Sequence, residues 1–179
     1  MTVMVALLRG VNVGGKAKLA MADLREVATG CGCEAVRTYI QSGNVVFSTS
    51  TRTTAAVEKK LAAAIAAATN VAPAVIVRTR AELAEVVADN PFAKRGEDPD
   101  HLHVSFTSGP AQSVITLAGL ERYAPEEVIA VGRQVYFLLP NGIGRSKLAA
   151  DFARQKTASG TSRNWRTVTK LLEMADETG

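Results

Sequence analysis

The apolar positions of this chain change period in a regular order, and that order predicts a fold. Residues 3–8 are a continuous apolar run, as in a buried strand. Met21, Leu24, Val27 and Ala28 then fall on one helical face, and Gly30 and Gly32 stop that helix. Residues 35–40 form a second strand. Gln41-Ser42-Gly43-Asn44 is a turn, and 45–48 return as a third strand, so the pair makes a hairpin. Val57, Leu61, Ile65 and Ala68 repeat at helical spacing through an alanine-rich segment of high helix propensity. Residues 73–78 are a fourth strand. Strand, helix, strand, strand, helix, strand is the ferredoxin-like split βαβ plan.

Leu83, Val86 and Val87 mark another helix, ended by Asn90-Pro91. The polar stretch 94–100 reads as a boundary. The plan then partly recurs. Residues 101–107 form a strand, and Pro110 opens a helix carrying Val114, Leu117 and Leu120. Residues 128–131 and 134–139 make a hairpin around Gly132, and 146–155 a helix. No closing strand is expected. A polar loop, 157–162, leads instead to a last helix with the apolar face Trp165, Val168, Leu171, Leu172 and Ala175. The expected class is α+β: two ferredoxin-like halves, 1–93 and 94–179, the second incomplete, packed as one compact unit with a C-terminal helix.

Composition narrows the classes. At 179 residues with 47% hydrophobic content, the chain can bury a real core. A net charge of +4 permits an anionic partner without requiring one. Aromatic residues make up 5%, which leaves few rings to stack on bases. No apolar stretch approaches the roughly 20 residues of a membrane helix, and residues 1–8 run straight into a strand pattern with no leader signature. A cytoplasmic monomer is expected. Cys31-Gly32-Cys33 is too close for an ordinary disulfide and lacks further zinc ligands, so it reads as small residues at a helix end. His101 and His103 alternate on a strand with no third ligand nearby. No metal or cofactor is expected.

The candidate chemistry lies in polar corners. Arg9 ends the first apolar run, and Gly10-Val11-Asn12-Val13-Gly14-Gly15-Lys16-Ala17 follows, with Lys18 next. Glycines and cations after a strand are a setting for an anion. The stretch almost fits the P-loop pattern, but Ala17 has no hydroxyl for magnesium and the helix begins only near Ala20. The alternative is a tight connection that needs positive φ at Gly14 or Gly15. In the hairpin turn, Gln41, Ser42 and Asn44 could contact a ligand or simply make the turn. Arg145 and Lys147 flank Ser146 at one helix start. Arg163 and Asn164 stand at the last, with Thr161 or Ser162 as cap. Cations are unfavourable at a helix N-terminus unless an anion is near, either bound or an Asp or Glu of the same protein.

Several segments resemble the domain-of-unknown-function family 1697. They are residues 6–16, from Ala6-Leu7-Leu8-Arg9 to Gly14-Gly15-Lys16, and Met21-Ala22-Asp23-Leu24-Arg25. Further on come residues 38–47, containing Gln41-Ser42-Gly43-Asn44, then Ser146-Lys147-Leu148 and Arg163-Asn164-Trp165-Arg166-Thr167-Val168. The resemblance implies two ferredoxin-like α+β halves in a bacterial protein. It implies no activity, so no catalytic residue carries over. Cys31 and Cys33 belong to none of these segments.

Three functional readings follow. In the first, Arg9, Asn12, Gly14, Gly15, Lys16, Gln41, Ser42, Asn44, Arg145, Lys147, Arg163 and Asn164 converge on a small anionic ligand, a nucleotide or short single-stranded nucleic acid. The expected aromatic pair for an RNA-binding sheet is not evident, with Tyr39 and Phe47 the nearest candidates. In the second, an enzyme acts on a small phosphorylated or carboxylated substrate, but no general base stands in the polar loops. The third is a protein-interaction or structural module without a ligand.

Overall fold

The computed structural model describes residues 1–15, 17–114, 118–155 and 160–179. The chain divides into two compact units, Met1–Glu85 with Lys170–Gly179, and Val86–Thr169.

The first unit follows the predicted element order closely. Strand β1 (Thr2–Leu8) leads to helix α1 (Met21–Gly30), the hairpin β2 (Glu34–Tyr39) and β3 (Asn44–Thr49), helix α2 (Thr54–Ala68) and strand β4 (Val75–Thr79). The sheet is antiparallel in the order β2-β3-β1-β4. Alternate residues of β1 and β3 explain its core. Met4, Ala6, Leu8, Val45 and Phe47 pack with Leu24 and Ala28 of α1 and with Val57, Leu61 and Ile65 of α2. Val5, Leu7 and Val46 point the other way and are equally buried. Both faces of the two central strands are therefore closed, and Phe47 is core rather than a stacking platform.

Helix α1 ends as its sequence suggests. Cys31 follows the last turn, Gly32 takes a left-handed φ of 77°, and the Gly32 and Cys33 amides donate to Thr29 O (2.9 Å) and Ala28 O (3.2 Å). That is a Schellman ending, which needs small residues. Burial and the neighbouring Cys31 push the Cys33 thiol up to about 11, so it stays protonated.

The chain continues through α3 (Arg80–Ala88) and a short helix α4 (Pro91–Lys94), capped by Asn90. The second unit contains strand β5 (Leu102–Phe106), the hairpin β6 (Glu127–Val131) and β7 (Gln134–Leu138), helix α5 (Lys147–Arg154) and a fourth strand, β8 (Thr161–Asn164). Its sheet order, β6-β7-β5-β8, repeats the first. The expectation of an incomplete second half is thus corrected: β8 pairs antiparallel with β5 from Phe106↔Thr161 to His103↔Asn164. Its inward positions are Thr161 and Arg163, so it carries no apolar alternation. Backbone pairing alone marks it as a strand.

The helix expected after Pro110 is also corrected. Two 3₁₀ turns, Ala111–Val114 and Leu120–Tyr123, stand there, and Leu117 lies outside the described residues. Gly119 enters the second turn at φ 63°, which an α-helix cannot continue through, and Leu120 is exposed. The core of this unit joins Tyr123, Val135, Phe137, Leu139, Leu148 and Phe152, with Phe137 and Phe152 edge to face at 5.1 Å.

The last helix, α6 (Trp165–Asp176), is capped by Asn164, two or three positions past the expected Ser162 or Thr161. Asn164 Oδ1 accepts from Thr167 N at 2.8 Å. Its C-terminal end belongs to the first unit, where Asp176 and Glu177 accept from Arg80 and Arg37.

Candidate anion-binding cleft

The loop after β1 is fastened to the hairpin turn by the backbone. Leu8 N donates to Gly43 O (2.8 Å) and Arg9 N to Ala74 O (2.9 Å). Gly43 fits because it has no side chain. A Cβ there would lie 2.6 Å from Val11 Cγ2 and 2.8 Å from Leu8 Cβ.

Asn12 organises the loop. It sits in the left-handed region at φ 56°, which Asn tolerates. Its Oδ1 accepts from Leu19 N (2.9 Å), while its Nδ2 donates to Leu19 O and Gln41 O, both at 2.8 Å. One amide thus closes the loop on itself and ties it to the turn. Asn44 does the same inside the hairpin. It is fully buried, and its Nδ2 donates to Tyr39 O (3.0 Å) and Ser42 Oγ (2.9 Å).

A shallow cleft of about 640 Å³ opens beside these fasteners, lined by Asn12, Gly15, Lys18, Leu19, Ala20, Asp23 and Gln41. At its floor is the start of α1. Ala20 stands at the N-cap and offers no side-chain acceptor; the first amide to find a backbone acceptor is Leu24 N, on Ala20 O at 3.1 Å. The amides of that first turn point out of the helix uncapped, and the positive end of its dipole faces the cleft. Lys18 adds a cation, Asp23 a carboxylate and Gln41 an exposed amide.

The structure therefore brings Asn12, Gly15 and Gln41 to one place. Arg9 is exposed and does not line the cleft, and Lys16 lies outside the described residues. Lys18, Asp23 and the bare helix start were not among the predicted site residues. The readable signal was Ala20, where a capping Ser, Thr, Asp or Asn would normally stand.

Gly14, Ser42 and Asn44 share the first unit but do not line the cleft, and Arg145, Lys147, Arg163 and Asn164 belong to the second unit. Arg145 and Lys147 rim a separate hollow of about 260 Å³. The helix start they flank is capped by the protein itself: Glu126 Oε2 accepts from Leu148 N at 3.1 Å, beside the Ser146 cap on Ala149 N at 2.8 Å. Arg163 is not at a helix start. It is buried in β8, with its guanidinium donating to Thr161 Oγ1 (2.8 Å) and Ser162 O (2.9 Å). Burial pulls its pKa down to about 10. Among the described residues, no group of three or more His, Cys, Asp or Glu could hold a metal. No helix there is long and apolar enough to cross a membrane.

The loop, the turn and α1 coincide with the segments that carry the family resemblance. A family model described as a protein of unknown function (DUF1697) matches residues 1–136. The chain belongs to this family. It is also similar to the solved structure of conserved bacterial protein SP0830 from Streptococcus pneumoniae. That likeness has 26% identity and a TM-score of 0.77, covering 97% of this chain and 98% of the other. No curated protein matches the chain. The DUF1697 match contains every residue of the cleft and ends before Arg145.

Proposed function

We propose that this DUF1697 protein binds a small phosphate-bearing or similarly anionic ligand, such as a nucleotide, in the cleft at the start of α1. The uncapped first turn carries the reading. Its amides need an acceptor, and an anion there would gain charge-assisted hydrogen bonds and the helix dipole. Lys18 would neutralise charge. The Gln41 amide, which both donates and accepts, would read a polar group beside the anion. Asp23 balances Lys18, so attraction comes mainly from the backbone. The closed faces of β1 and β3 favour a loop site over base stacking on the sheet.

The test is a thermal-shift screen with nucleotides, sugar phosphates and short oligonucleotides, followed by calorimetry on hits. A ligand at a hundredfold its Kd should add about 2.7 kcal/mol of stability. Lys18→Gln should weaken it and Asp23→Asn tighten it. A hit indifferent to both substitutions, or no hit in the panel, refutes the reading.

A further inference from the structure

The second unit carries an excess of positive charge around a hollow that no part of the reading above uses. Arg122, Arg145 and Lys147 line it, with Tyr123, Glu126 and Asn141. The helix end beside it is already satisfied: Glu126 takes the Leu148 amide and Ser146 the Ala149 amide. The site therefore rests on side-chain charge, not on a helix terminus.

Arg122 is held in place. Its guanidinium lies 4.7 Å from the Tyr123 ring centroid, and Nη2 donates to Tyr123 Oη at 2.6 Å. Tyr123 Oη in turn donates to Asp151 Oδ2 at 2.7 Å, while Asp151 Oδ1 accepts from Arg154 at 2.9 Å. Asp151 is thus shared with a second arginine outside the hollow. Arg145 and Lys147 make no ion pair or side-chain hydrogen bond among the described residues. Arg122 also stands 3.8 Å from Asp151, so of the three lining cations Arg145 and Lys147 are the two without an ion pair among the described residues. A guanidinium and an ammonium group lining one hollow, neither of them ion-paired, suit a compact dianion with several acceptor oxygens.

We propose that the hollow formed by Arg122, Arg145 and Lys147 binds a phosphate dianion, either inorganic phosphate or the head of a phosphomonoester. The hollow, about 260 Å³, has room for a phosphoryl group and for part of an ester beside it. Inorganic phosphate and methyl phosphate distinguish the two sources: equal affinity means that the free ion is sufficient, and tighter methyl phosphate means that an ester is read.

Calorimetry at low ionic strength on the full chain tests this. Arg145→Gln with Lys147→Gln should weaken both anions at least tenfold, while Lys59→Gln, at an exposed lysine of the other unit, leaves them unchanged. Both residues are exposed, so the fold should persist, and a thermal melt checks it. Lowering the pH from 7.5 to 5.5 converts the phosphate to a monoanion and should weaken binding. Sulfate stays dianionic and should bind equally at both pH values, which separates protonation of the phosphate from any change in the protein. Unchanged affinity in the double variant, no binding of either phosphate, or a sulfate affinity that falls with phosphate would overturn the proposal. If the double variant does not fold, Arg145→Lys, which keeps the charge, must retain binding, and its loss refutes the site equally.

Discussion

Asn12 and Gln41 are joined across 29 residues of sequence by one hydrogen bond, Asn12 Nδ2 to the Gln41 carbonyl at 2.8 Å. Both residues were read as ligand contacts. The bond makes Asn12 the fastener that positions Gln41, since its amide is already engaged three times. Asn12→Ala should lose those bonds, at about 1–3 kcal/mol, and strain a left-handed backbone by roughly another 1–2 kcal/mol. Asn12→Gly should suffer only the first loss. Denaturant unfolding of the two variants separates the terms; equal stabilities would show that the backbone conformation carries no strain.

Gly43 and Gly14 both take positive φ, 74° and 58°, but only Gly43 is crowded. Gly43→Ala should destabilise by about 2–4 kcal/mol, combining left-handed strain with a clash against Val11 and Leu8. Gly14→Ala meets open space and should lose only about 1–2 kcal/mol. Comparable midpoints in urea would contradict the close approach of loop and turn.

His103 predicts a pH response. It is buried in β5, its Nδ1 has no hydrogen-bond partner among the described residues, and burial holds its pKa below 6.5 despite a backbone hydrogen bond with His101. Above pH 6.5 the imidazole is neutral in both states and contributes nothing to the slope. Below it the unfolded chain takes the proton first, so stability falls as pH drops toward the lower folded value. One proton allows at most about 1.4 kcal/mol per pH unit. The carboxylates paired with arginine, Asp100, Glu127, Asp151 and Glu177, are shifted down and lose stability only in more acidic solution. His103→Gln should flatten the slope between pH 6.5 and 5; an unaltered slope in that variant assigns the effect elsewhere.

Thr79 and Asn164 stand at matching places, each ending a fourth strand and starting a helix. Thr79 and Glu82 form a reciprocal capping box, at 3.1 and 2.8 Å, whereas Asn164 caps Thr167 N alone. Asn164→Ala should therefore cost about 1 kcal/mol, and Asn164→Asp almost nothing. A stable Asn164→Ala variant with impaired ligand binding would return Asn164 to the predicted ligand contacts.

The matching extends to the residue before each cap. Arg78 lies opposite Val5 in the first sheet and Arg163 opposite Val104 in the second, and both are buried. The duplication is plainer in this register than in any sequence identity between the halves. Arg163 also shows why it was misplaced. A buried arginine in a four-residue strand looks, in sequence, like a cation near a helix start.

What the sequence by itself determined was the longer elements that bury an apolar face at a regular period, not short ones such as α4 with its buried Phe92. Met21, Leu24 and Ala28 of α1, Val57, Leu61 and Ile65 of α2, and the runs of β1 and β3 are legible because burial selects residue type at a fixed period. Helix ends set by local bonds, at Gly32 and Ser146, were legible for the same local reason. Tertiary structure alone decided the rest. Strand β8 exists through pairing with β5, and spacing at Val114, Leu117 and Leu120 suggested a helix that Gly119 does not permit. Glu126 reaches Leu148 across 22 residues, and Asn12 spends on the fold the hydrogen bonds it seemed to hold for a ligand. A polar side chain carries no mark of its partner until the chain brings that partner within about 3 Å.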